Sequence, residues 1–238
     1  MGGESLVLAF PSGKGGVGKT TVAVNLAAAL ALRELRVVLI DTNFALPNLH
    51  LFLDVVPERT LTHYMSGDAG IDDIVGEVWV RDAAFDVIPS ESLVDLKAKI
   101  DLNLLSDVIN RLKGSYDILL LDMPPGLSKY VVLPLKASDA VVIVTSDFKA
   151  SHSDALRVLK LVQGVGKPHL GFIVNMCRSG GSRYFETTDV FSTVPYDPFI
   201  RRAYTSGRTI FHTPVPGWLA RSKRSFEGMA EKIAQLMV

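Results

Sequence analysis

A chain of 238 residues with 48% hydrophobic and 21% charged side chains can build one substantial core and leaves little for long disordered tails. Lysine plus arginine balances aspartate plus glutamate at 25 each, so no global field draws the chain toward DNA or anionic lipid. The single cysteine, Cys177, excludes intramolecular disulfides, and no Cys/His spacing resembles a zinc site. No Pro/Gly/Ser-rich linker interrupts the chain, so residues 1–238 are expected to form a single domain. No apolar run reaches the length of a membrane span. The start has no basic n-region, and Leu6 breaks the myristoylation pattern that Gly2 and Ser5 begin. A cytoplasmic location is the expectation, with peripheral membrane contact left open.

The first element is SLVLAF, residues 5–10, short and apolar as a buried strand is. SGKGGVGKTT follows at 12–21 and meets the pattern G-x-x-x-x-G-K-[ST] through Gly13, Gly18, Lys19 and Thr20. TVAVNLAAALAL then reads as a helix in which Asn25 is the strongly polar exception. Strand, Gly-rich loop and helix are the context a phosphate-binding loop needs. In such a loop the glycines let backbone N–H groups turn inward around phosphate oxygens, and the helix start adds its positive dipole end. Lys19 supplies a full charge and Thr20 a hydroxyl for Mg²⁺. The expected nucleotide contacts are Gly13, Lys14, Gly15, Gly16, Val17, Gly18, Lys19, Thr20 and Thr21.

Four further apolar runs follow: RVVLID at 36–41, DILLLD at 117–122, AVVIVT at 140–145 and LGFIVN at 170–175. They are continuously apolar without alternation, as strands buried on both faces of a parallel sheet are. AAFDVIPS at 83–90 and FSTVPYD at 191–197 are read as two more strands, and 91–112 and 149–164 as helices. The alternation predicts an α/β fold, a central and mostly parallel sheet with helices on both faces. Ligands of such sheets sit at the carboxyl ends of the strands, where Asp41, Asp122 and Asn175 end three of the runs. Asp122 occupies the place of a Walker B carboxylate, and Thr20, Asp41 and Asp122 form the candidate metal set.

Lys14 is one lysine more than a phosphate-binding loop requires. The run KGGVGKTT at 14–21, with Lys14 five positions before Lys19, resembles the deviant Walker A signature of the MinD/ParA group of ATPases, closer to the MinD branch. LIDTNFALPNLHLFLDV at 39–55, LLLDMPPGL at 119–127, Asn175 and VPYDPFIRRAYTSGRTI at 194–210 extend the resemblance over nearly the whole chain. It implies a P-loop NTPase fold, ATP and Mg²⁺ as cofactors and slow hydrolysis. It also implies an ATP-dependent homodimer in which Lys14 acts across the interface, and a protein regulator or cargo, as in cell-division or flagellar placement. Asn175, Pro195, Tyr196 and Asp197 would border the adenine ring. Lys14, Lys19, Asp41 and Asn43 would serve catalysis.

Two departures qualify the transfer. Where MinD relatives commonly end the second strand Asp-x-Asp, this chain has Asp41, Thr42, Asn43. An amide orients water but is no base, so a nucleotide-binding scaffold with little hydrolysis is the alternative. Phe226, Met229, Ala230, Ile233 and Leu236 mark an apolar helical stripe near the C-terminus, read as a docked core helix in place of a membrane-binding tail. Residues 201–232 carry seven Lys and Arg against two Glu, which is either a solvated basic face or a ParA-like contact with DNA.

Overall fold

The computed structural model describes residues 5–92, 101–178, 182–214 and 220–237. Its eight strands are β1 Leu6–Ser12, β2 Val37–Asp41, β3 Gly76–Val80, β4 Ala83–Ile88, β5 Ile118–Pro125, β6 Ala140–Ser146, β7 His169–Cys177 and β8 Val190–Pro195. They form one sheet in the order β3-β4-β2-β5-β1-β6-β7-β8, parallel throughout except for β3, which runs antiparallel to β4. The helices are α1 Lys19–Ala31, α2 Leu49–Leu53, α3 Leu61–Ser66, α4 Leu104–Leu112, α5 Lys129–Ala137, α6 Lys149–Val165, α7 Pro198–Tyr204 and α8 Arg221–Gln235.

The unbroken apolar runs are explained by two cores, one on each face of the sheet. Leu8, Phe10, Leu39, Leu120 and Val142 point into one core, closed by α1, α2 and α8. Val7, Ala9, Val38, Ile40, Leu119 and Leu121 point into the other, closed by α3, α4, α5 and α6. Successive strand residues therefore enter opposite cores and both must be apolar. Helix α1 lies between the sheet and α8, which is why all of it but Thr21 is buried. Asn25 is tolerated there because its amide donates to Thr21 O at 2.8 Å while its oxygen accepts from Ile210 N at 2.8 Å.

The structure departs from the sequence reading at two places. The helix expected from residue 91 begins at Leu104, because Asp101 accepts from Asn103 N at 2.9 Å and holds a turn immediately before it; residues 93–100 lie outside the described residues. Strand β3 has no counterpart among the expected strands. Its pattern is period two, with Val78 and Val80 inward and Glu77 and Trp79 exposed, as suits an edge strand with one covered face.

Strands after β1 go to opposite sides of it, β2 toward β4 and β6 toward β8. The carboxyl ends of β1, β2, β5 and β7 thus open onto one crevice. The C-terminal stripe docks as a core helix: Phe226, Met229, Ala230 and Ile233 of α8 are buried, whereas Leu236 is 53% exposed. No helix among the described residues is long and apolar enough to cross a membrane.

Candidate functional site

The loop between β1 and α1 is shaped by glycines that have no substitute. Gly16 and Gly18 have φ of 78° and 84°, a region that costs any side chain strain. A Cβ on Gly13 would come within 2.5 Å of the Asp154 Cβ and 2.7 Å of its backbone on α6, and a Cβ on Gly18 would collide with the Asn175 amide. The loop is thereby pressed between α6 and β7. Asn175 fastens it, donating from Nδ2 to Val17 O at 2.9 Å while its Oδ1 accepts from Met176 N at 2.9 Å. Gly18 caps α1 with backbone alone, so first-turn N–H groups face the loop without a side-chain acceptor, the arrangement that receives an anion.

Behind the loop lies a buried polar cluster. Thr20 Oγ1 is 2.6 Å from Asp122 Oδ2 and 3.3 Å from Asn48 Oδ1, and Lys19 Nζ is 3.7 Å from Asp122 Oδ1. Asp122 is 1% exposed and its Oδ1 has no hydrogen-bond partner. A buried acceptor left over beside a hydroxyl and a second carboxylate is what a hard, oxygen-seeking cation satisfies. No group of three His, Cys, Asp or Glu capable of holding a metal occurs among the described residues. Mg²⁺ suits such a site, since it binds through one or two carboxylates plus substrate phosphates.

Asp41 stands opposite Asp122 in the β2–β5 register. Its Oδ1 accepts from Asn43 N at 2.9 Å, and its Oδ2 from Asn48 N and Leu49 N, both at 3.1 Å. Burial and the neighbouring Asp122 charge push its pKa up to about 7, against the pull of those three N–H groups. Asp41 therefore organises the turn from 43 to 49 as well as adding charge behind the loop. Asn43 is buried and its amide donates to Leu46 O at 2.7 Å, so that nitrogen is committed to the same turn. Asn48 is a site residue the sequence did not disclose: nothing in LPNLH marks it, since its partner Thr20 lies 28 positions away.

On the other side of the loop, a cavity of 340 Å³ is lined by Gly16, Gly18, Thr21, Asn175, Met176, Pro195, Tyr196, Asp197, Ile200, Arg201 and Tyr204. Asp197 caps α7 by accepting from Phe199 N at 2.9 Å, and its second oxygen takes the Ser222 hydroxyl of α8. Both carboxylate oxygens are thus in use, and Asp197 shapes the wall of the cavity. A larger void of 830 Å³ between residues 45–50, 57–63 and 90–92 has Glu58 and Glu91 among its described lining residues. Lys14 is half-buried on the rim of the loop, with no ion pair to any described residue. Cys177 is buried, its thiol donates to Val174 O, and burial raises its pKa to about 11, the state of an inert structural thiol.

The ParA family model, described as a NUBPL iron-transfer P-loop NTPase, matches residues 5–205. The antiactivator FleN of Pseudomonas aeruginosa is 31% identical over 250 residues, covering 95% of this chain and 85% of FleN. The septum site-determining protein MinD of Bacillus subtilis is 28% identical, over 82% of this chain and 72% of its own length. Among solved structures, MinD of Pyrococcus horikoshii complexed with Mg-ADP superposes with a TM-score of 0.85 at 27% identity, covering 98% of this chain and 97% of that one.

Proposed function

Because the chain belongs to the ParA family of P-loop NTPases, using ATP and Mg²⁺, we propose that it is a slowly hydrolysing ATPase whose nucleotide state switches it between monomer and homodimer to position or regulate a partner protein. The observation that carries this reading is the different fate of the two loop lysines. Lys19 folds inward beside Asp122, whereas Lys14 stays on the rim without a counter-ion among the described residues. A cation on the outside of a phosphate loop is well placed to serve a nucleotide held by a facing subunit, as an arginine finger does in trans. Thr20 and Asp122 would hold Mg²⁺, which when bound neutralises developing charge on the phosphates. Lys19 and the N–H groups of the loop and first helical turn would hold the phosphates, and Asn175 would keep the loop in shape. The names of the relatives, an antiactivator and a septum site-determining protein, favour a regulatory or positioning role.

The test is sizing with ADP and with a slowly hydrolysed ATP analogue. We expect monomer with the first and dimer with the second. Lys14→Ala should abolish hydrolysis by the dimer while leaving ADP affinity within about twofold. Wild-type turnover in Lys14→Ala would remove the trans-acting lysine.

The commitment of the Asn43 amide to Leu46 O favours a second reading, a nucleotide-bound scaffold with little turnover. Asn43→Asp separates the two. If water positioning at residue 43 limits the rate, single-turnover hydrolysis at saturating Mg·ATP rises roughly ten- to a hundredfold, the low end of what a positioned base contributes. The same change removes the donor to Leu46 and costs about 1 kcal/mol of stability. Unchanged turnover in a folded, dimeric Asn43→Asp protein would show that residue 43 does not handle the water.

A further inference from the structure

The 340 Å³ cavity and the turn behind the phosphate loop are joined through an aromatic contact. Tyr204, the last residue of α7, lines the cavity beside Gly18, Asn175 and Arg201. Its ring packs on Phe52 of α2, with centroids 4.3 Å apart and planes inclined by 34°. Phe52 stands one helical turn beyond Asn48, the residue that caps α2. Asn48 N and Leu49 N donate to Asp41 Oδ2, and Asn48 Oδ1 lies 3.3 Å from Thr20 Oγ1. The far end of α2 is fixed as well. Gly207, with φ of 62°, sits so close to Asp54 that a Cβ there would collide with it. Helix α2 is therefore a short strut, one end on the carboxylate behind the loop and the other on the wall of the base-sized cavity.

We propose that Phe52 and Tyr204 are positioning residues that couple the base end of the nucleotide site to its metal end. A base seated against α7 holds Tyr204; Tyr204 holds Phe52 and α2; α2 holds Asn48 against Thr20 beside the metal-binding carboxylate. Neither Phe52 nor Asn48 needs to touch the base for this. The consequence is that Mg²⁺ strengthens the binding of a base-bearing nucleotide more than that of a polyphosphate without a base. This inference rests on the nucleotide site assigned above, and the coupling is reciprocal, as any linkage between two ligands is.

The experiment measures the affinities of ADP and of inorganic pyrophosphate by calorimetry, each with Mg²⁺ and with EDTA. The gain on adding Mg²⁺ is compared between the two ligands and then between proteins. Complexation of Mg²⁺ in solution differs between the two ligands but is the same for every variant, so the quantity read is the ratio of the ADP gain to the pyrophosphate gain, compared between proteins. That ratio should be about two- to tenfold larger in wild type than in Phe52→Ala, the factor an aromatic contact of this kind supports. Phe52→Tyr should restore the wild-type ratio. Phe52→Leu, which keeps apolar volume against the core but loses the ring face, should behave as Phe52→Ala does and serves if that variant does not fold. A ratio in Phe52→Leu as large as that of wild type would overturn the coupling. Failure of wild type to bind Mg·ADP at all is a different outcome and would overturn the nucleotide site together with it.

Discussion

At Asp122 the energetic problem is a carboxylate that is 1% exposed with one oxygen unbonded, a state that costs stability in the absence of a cation. Thr20 and Lys19 relieve part of it, and the same geometry suits Mg²⁺ beside a polyphosphate. Thr20→Ala or Asp122→Ala should therefore weaken Mg·ATP at least about tenfold more than it weakens ATP in EDTA, since an oxygen ligand lost to the metal matters only when metal is present. Calorimetric titration with and without Mg²⁺ checks this. Equal losses in both conditions would assign these residues to folding alone. Asp41 differs in kind. Burial beside Asp122 raises its pKa above the unfolded value of about 3.9, so in a window of pH above that value the apo fold holds a proton the unfolded chain has released. Its contribution to apo stability thus declines as pH rises through that window.

Helices α1 and α8 show how element-level reasoning succeeds and where it stops. The stripe Phe226, Met229, Ala230, Ile233 has the helical period and needs a partner, and the partner is α1 with the sheet beneath it. Phe226→Ala should cost about 3–5 kcal/mol, the usual loss for a fully buried phenylalanine, whereas Leu236→Ala should stay within about 0.5 kcal/mol because its side chain faces solvent. Urea unfolding of the two variants measures both, and a Phe226→Ala protein as stable as wild type would mean that α8 does not complete this core. Helix α2 is the opposite case. Five residues, LHLFL, carry too little pattern to announce a helix, and its ends are set by Asp41, eight positions before Leu49, and by Gly207, distant in sequence.

Across the whole molecule, the crevice exists because strands added after β1 go to both sides of it, bringing residues 13–20, 41–48, 122, 175 and 195–204 to one edge. A ligand spanning the crevice contacts β1, β2, β5 and β7 together and should stabilise the domain as a unit. At a concentration a hundred times its Kd, Mg·ADP adds about 2.7 kcal/mol, which for a domain of this size raises Tm by about 5–10 °C. Differential scanning calorimetry reads the shift directly. A transition that splits in two, with only one part moved by ligand, would contradict a single cooperative domain.

The phosphate loop, its helix, the five buried strands, Asp122 and the docked C-terminal stripe could be read from the residues because each is specified locally. Gly16 and Gly18 serve a backbone conformation, VVLID and ILLLD serve burial on two faces, and the spacing of Phe226 to Ile233 serves one face of a helix. The family resemblance rested on the same local runs. What the sequence could not disclose depends on contacts that carry no pattern of their own, some within an irregular turn and others between residues far apart along the chain. Asn48 acquires its place from Thr20 and Asp41, Asp197 from Ser222, the Asn43 amide from the turn that Asp41 folds, and Tyr204 from Phe52. Short polar and aromatic side chains have no period of their own, and their partners exist only once the sheet has closed. The loop chemistry was therefore written in the sequence, while the connection between the two ends of the site was decided by the tertiary fold.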